Sequence, residues 1–168
     1  MKSTLLRTCE GIKSIETKRL HGRELACMAM LIYWAGVKKK ELPKIKIKDI
    51  LNEQGDIVNA LNIGGQVINL PTTVKQELHE YIDYQLERDP GPMDPNRLLF
   101  PGYSCGKRIY RHLKRHFGTF HTLGRERVKC LYLEYRKAGI ENEEAYEKVA
   151  DQFRLTTKRV RDIIFNVR

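Results

Sequence analysis

The sequence predicts an α+β domain that is mainly helical, with one small three-stranded antiparallel sheet in its N-terminal third. Three observations predict it. Apolar residues recur at helical spacing over most of the chain, from Leu25 to Ile164. Only residues 44–70 change to a two-residue alternation, which turns at Gly64-Gly65. The 168 residues, 41% of them hydrophobic, bury one good core, so 1–168 is expected to form a single domain.

Residues 20–36 read as a helix whose stripe is Leu25, Met28, Ala29, Ile32 and Tyr33. Ala26, Met30, Leu31 and Trp34 make it apolar nearly all round, which marks a central, buried helix that Gly36 stops. Lys44, Lys46 and Lys48 then alternate with Ile45, Ile47 and Asp49, giving a first strand. Runs 56–62 and 66–70 give two more, joined by the hairpin signal Ile63-Gly64-Gly65. After Pro71, Thr72 or Thr73 is placed to cap a helix reaching about Glu87, with Val74, Leu78, Tyr81, Ile82 and Leu86 inward. Residues 89–96 hold three prolines and a glycine and form a loop. A basic helix follows over 106–117, with Ile109, Leu113 and Phe117 inward. Another covers 121–137 and ends at Gly139, and the tail gives two helices joined at Arg154–Thr156.

The charge is segregated. The chain carries +10 overall, but residues 1–48 hold +8, 49–100 hold −6, 101–137 hold +8 and 138–168 hold zero. Two basic blocks around an acidic one point to an acidic partner, of which double-stranded DNA is the expected one. No run of 18 apolar residues exists to span a membrane, and the first residues lack the apolar run of a signal peptide. A cytoplasmic, nucleoid-associated protein is the expectation. Cys9, Cys27, Cys105 and Cys130 form no CxxC pair, so neither a disulfide framework nor a zinc site is expected. His112 and His116 sit among Arg111, Lys114 and Arg115 and belong to a basic helix. No metal, cofactor or small-molecule substrate is expected.

The candidate phosphate contacts are Lys38, Lys39 and Lys40 after the buried helix; Lys107, Arg108, Arg111, Lys114 and Arg115 on the first basic helix; and His121 and Arg125 on the next. Side chains three or four apart share a helix face, so Arg108, Arg111 and Arg115 form one candidate stripe.

Several of these pieces stand in a familiar order. The buried helix runs into Ala35-Gly36-Val37-Lys38-Lys39-Lys40-Glu41-Leu42, then come Lys48-Asp49-Ile50, the hairpin, Ile68-Asn69-Leu70-Pro71, Leu99-Phe100-Pro101, His121-Thr122-Leu123-Gly124 and Lys137-Ala138-Gly139-Ile140. Over residues 20–168 this order resembles the catalytic domain of the tyrosine recombinase (phage integrase) family. The resemblance implies a helical bundle beside a small sheet. It also implies a centre in which two arginines grip a phosphate, a hairpin lysine serves as general acid and a tyrosine attacks. Carried over, the first arginine falls at Lys38, and no lysine lies between Lys48 and Lys75 to serve the hairpin. The box histidine matches His121, but its arginine falls at Gly124. Arg125 is adjacent, and a one-residue slip turns a helical side chain by about 100°. The nucleophile falls near Val160, and no tyrosine follows Tyr146. Without nucleophile, general acid and both arginine forks the strand-transfer mechanism is absent, so the resemblance implies a DNA-binding recombinase homologue that does not cut. Family members carry an N-terminal helical domain that completes a clamp on DNA, and only about twenty residues precede the first predicted helix here. Another chain supplies that domain, the sequence is a fragment, or the protein works without it. A protein partner or self-association fits the first of these.

Residues 145–164 also fit a helix-turn-helix. Val149, Ala150, Phe153 and Leu155 build its first helix and turn, Thr156 or Thr157 caps the second, and Val160, Ile163 and Ile164 face inward. Lys158, Arg159 and Arg161 then face outward, and Arg154 takes a turn position that favours glycine. The leading expectation is an inactive, recombinase-like DNA-binding protein, an accessory or regulatory factor of a mobile element. Its alternatives are an active recombinase with a displaced nucleophile and a helix-turn-helix regulator of transcription.

Overall fold

A computed structural model gives the backbone of residues 2–17, 21–103, 106–118 and 120–165, and the side chains of these except 2–4, 106–107 and 120–122. Its described elements run α1 (Lys2–Lys13), α2 (Gly22–Ala35), α3 (Ile47–Ile50), β1 (Ala60–Ile63), β2 (Gln66–Asn69), α4 (Thr72–Arg88), α5 (Gly106–Phe117), α6 (Phe120–Lys137), α7 (Asn142–Phe153) and α8 (Thr157–Ile164). Short 3₁₀ turns occupy Leu42–Lys44 and Pro101–Tyr103. The architecture is mainly helical with one small antiparallel sheet.

Helix α2 is the axle. All of its residues but Arg23 are buried, and α1, α4, α5 and α6 pack around it. Its start passes so close to α1 that a Cβ on Gly22 would lie 1.7 Å from the Ile12 carbonyl oxygen, so only glycine fits there. It ends at Gly36 in the left-handed region (φ 67°), whose N–H returns to the Leu31 carbonyl. A Cβ on Gly36 would also press on the Phe153 ring, 3.0 Å away, so α7 docks against this turn.

The apolar core divides in two. The larger cluster surrounds α2 and takes in the 3₁₀ turn after Phe100 and the hairpin residues Leu61 and Ile68. The smaller one joins the second half of α6 to α7 and α8 through Val128, Leu131, Tyr146, Val149, Phe153, Val160 and Ile163. The two are tied together by polar contacts. Arg127 is buried in α6, lies 4.5 Å over the Trp34 ring and donates to Glu134 at 3.0 Å. Arg154 makes the other tie.

Among the described residues the sheet has two strands, and the third that the sequence predicts is not found. β1 and β2 pair in the register Leu61↔Ile68 and turn at Gly64 and Gly65, both at positive φ (59° and 77°), as a tight hairpin turn requires. The predicted first strand folds otherwise. Pro43 starts a 3₁₀ turn, and the Asp49 carboxylate accepts the Lys46 N–H at 2.8 Å, winding Ile47–Ile50 into a helical turn. Lys46 pairs only as an isolated bridge with Leu98, and the Leu99 N–H donates to the Ile45 carbonyl. The alternation still sets burial, with Ile45 and Ile47 inside and Lys44 and Lys48 exposed. Neither Thr72 nor Thr73 caps α4 with its side chain; Pro71 holds the cap position. Thr156 does cap α8, accepting from the Arg159 N–H at 3.1 Å. Helix α1 was not expected from the sequence; Leu5, Cys9 and Ile12 bury its inner face.

Buried acids and thiols fasten these layers. Glu24 is 5% exposed and accepts the Gly102 N–H at 3.1 Å, pinning α2 to the 3₁₀ turn. Burial pushes its carboxyl up to about 7. It holds its proton more tightly folded than unfolded. Its contribution to stability is therefore complete below about pH 4.3, the ordinary glutamate value, and is lost as pH rises through about 7. Glu24→Gln keeps the acceptor and removes the titration. Its melting temperature is expected to exceed wild type at pH 8 and to match it near pH 4, which a melt at the two pH values checks. Burial likewise pushes the Cys9 thiol up to about 12. Cys9, Cys27 and Cys130 are free, and the described residues hold no cluster suited to a metal ion. Cys105 lies outside the described residues. No described helix is long and apolar enough to cross a membrane.

Candidate nucleic-acid interface

Three basic residues from distant parts of the sequence line one cavity. Lys38 leaves the end of α2, Arg125 stands in the second turn of α6, and Arg159 stands in the first turn of α8. They line a cavity of about 320 Å³ whose walls are otherwise apolar, including Val37, Val128, Phe153, Leu155 and Ile163. An apolar wall lowers the local dielectric and strengthens the pull of each cation on an anion. Lys38 is held by its backbone, whose N–H donates to Glu41 at 2.7 Å. Gly124 leaves room beside Arg125, which lines the cavity in spite of the one-residue slip.

The position that the resemblance gives to a nucleophile is closed. Val160 is fully buried, and no tyrosine lines the cavity among the described residues. Tyr146 is stacked on Tyr132 at 5.0 Å and 5° in the smaller core, with the Arg161 guanidinium 5.2 Å from its ring. Its phenol is raised above its ordinary value by the hydrogen bond with Tyr132, then by burial. The hairpin turn carries no lysine; Gln66 beside it accepts from Arg154 instead.

The remaining predicted residues distribute as follows. Lys39 Nζ sits 4.5 Å over the Tyr110 ring, joining the end of α2 to α5. Arg111, Lys114 and Arg115 are exposed on α5. Arg108 turns aside, half-buried, with its guanidinium 5.5 Å over Tyr103, so it stands at the edge of the Arg111–Arg115 stripe. His112 is held below its ordinary value by burial and by Arg108, His116, Arg111 and Arg115, and His116 by burial and Arg115. Both are neutral near pH 7. Lys40 is exposed, as is Lys158 on α8. Arg161 is paired with Glu143 of α7. The side chains of Lys107 and His121 lie outside the described residues. Lys44, Lys46 and Lys48 escape a site search by sequence because their alternation reads as a strand; the same alternation is the signal that displays them together.

No family model matches the sequence, and no curated protein matches it. A solved structure does match the fold: that of XerA recombinase, at a TM-score of 0.68 and 14% identity. The match covers 98% of this chain and 57% of that one. The protein described here has a recombinase-like fold.

Proposed function

We propose that this protein binds double-stranded DNA through its basic face and does not cleave it. The observation that carries this reading is the lining of one cavity by Lys38, Arg125 and Arg159 and by no described tyrosine, in a recombinase-like fold. Three basic residues suit the non-bridging oxygens of a backbone phosphate, and Lys38 keeps the charge but not the fork of the arginine whose position it holds. Covalent attack needs a nucleophile beside that phosphate, and the alternative of an active enzyme would have to bring one from elsewhere. Lys39, Lys40, Arg111, Lys114 and Arg115 extend the face along the duplex as positioning contacts that carry no sequence readout. In the helix-turn-helix alternative α8 reads bases alone; its Arg159 lines a cavity shared with α2 and α6, which favours the composite face. Such binding without cutting fits an accessory or regulatory role in a mobile element.

Changing Lys38, Arg125 and Arg159 together to glutamine is expected to weaken binding to all duplex sequences alike. The slope of log affinity against log salt should fall by about three. A fluorescence-anisotropy titration over several salt concentrations checks this, and an unchanged slope would remove the cavity from the interface.

A further inference from the structure

A second basic recess also takes in Lys38. The segment from Lys38 to Asp49 and the hairpin turn enclose a cleft of about 650 Å³, lined by Lys38, Lys40, Lys44, Lys46 and Lys48, with Asn62 and Gly64 across from them. Two carboxylates stand in the same wall, and both are engaged. Glu41 receives the Arg154 guanidinium and the Lys38 N–H, and Asp49 receives the Lys46 N–H. Among the described residues none of the five ammonium groups is ion-paired. The buried Ile45 and Ile47 anchor the backbone between them, so the lysines are displayed by construction. Five lysines against two carboxylates leave the recess with an excess of positive charge that favours an anion.

We propose that this cleft seats a run of consecutive phosphates, so that the chain holds a polyanion at two adjoining places that share Lys38. Lysine suits that task. It offers a compact charge on a flexible stem and follows a phosphate run without the fixed fork of arginine. The phosphates belong to a nucleic-acid backbone or to a free polyphosphate chain. Only the first source rests on the DNA-binding reading above.

The test is Lys44→Gln, Lys46→Gln and Lys48→Gln in one protein. None of the three lines the Lys38–Arg125–Arg159 cavity. A charge-matched control changes Arg7, Lys137 and Lys148 to glutamine, outside the cleft. Duplex binding is followed by anisotropy against salt, and inorganic tripolyphosphate binding by calorimetry. The expected result is a salt slope lower by about three and a lost tripolyphosphate signal, with the control near wild type in both. A Lys44→Gln, Lys48→Gln double variant spares the α3 start and should lower the slope by about two, which keeps the test alive if the triple variant melts early. Wild-type slope and retained tripolyphosphate binding in the variants would overturn the cleft and leave the DNA reading standing. If wild type ignores duplex DNA yet binds tripolyphosphate through these lysines, the cleft stands with free polyphosphate as its source and the DNA reading falls. No binding of either anion by wild type sinks both.

Discussion

Arg154→Ala is expected to cost about 3–5 kcal/mol of folding stability, and Arg154→Gly about 1 kcal/mol less than that. Arg154 is the one described non-glycine residue at positive φ, 54°, where it ends α7. A left-handed conformation costs an L-residue about 1–2 kcal/mol, so something holds it there. Its guanidinium grips Glu41 with two bonds of 2.9 and 2.8 Å and also donates to the Gly36 carbonyl and to Gln66, each at 2.9 Å. The side chains of the Arg154–Glu41 pair are 11% and 12% exposed. Alanine keeps the strained backbone and leaves a half-buried carboxylate without its cation. Glycine strands the same carboxylate and relieves the strain, which sets the order Arg, Gly, Ala in a denaturant series. Burial raises the Glu41 carboxyl, but Arg154 and the Lys38 N–H outweigh it and hold it below its ordinary value. The pair's contribution is therefore present above the ordinary carboxylate range and is lost as pH falls below it. The gap between wild type and Arg154→Ala should narrow in acid. Because Glu41 also fixes Lys38, the same variant loosens the cavity at which α2, α6 and α8 meet.

Lys13→Met should be comparably damaging, at about 3–5 kcal/mol. Lys13 Nζ lies 2.9 Å from Glu77, 2.8 Å from Glu10 and 3.0 Å from Glu80, and it fastens α1 to α4. Both Lys13 and Glu77 are 8% exposed. Burial opposes the charge on Lys13, but its three carboxylate bonds outweigh that and raise it above its ordinary value. Burial raises the Glu77 carboxyl even with Lys13 beside it. Without the ammonium it rises further, so the variant should lose least in acid, where Glu77 is protonated, and most at pH 8. Adding Glu77→Met should recover much of the loss, since an apolar pair replaces a broken ionic one. If the single variant melts like wild type at pH 8, the pair does not hold α1.

Particular residues show what the sequence made legible. Gly64-Gly65 marked the hairpin because both positions need positive φ, and α2 was plain because nearly every residue in it is apolar. Helix α1 hid behind a first turn of polar residues and a cysteine, Cys9, that packs as an apolar side chain. The predicted first strand does not form at Lys44–Asp49 because Pro43 and the Asp49 side chain favour helical turns, local chemistry that overrides a two-residue period. The cavity was half readable. Lys38 and, one residue out of register, Arg125 followed from the order of motifs, whereas Arg159 joined the same cavity only through the packing of α8 on α6. Arg154 looked unfavourable at its turn because its reward, Glu41, lies 113 residues away.

A nicked suicide duplex, titrated over salt and then denatured, separates binding from cutting. Affinity is expected to fall steeply as salt rises, with all DNA released on denaturation. A covalent adduct that survives denaturation and disappears when a tyrosine such as Tyr146 is changed to phenylalanine, or affinity indifferent to salt, would contradict the proposed function.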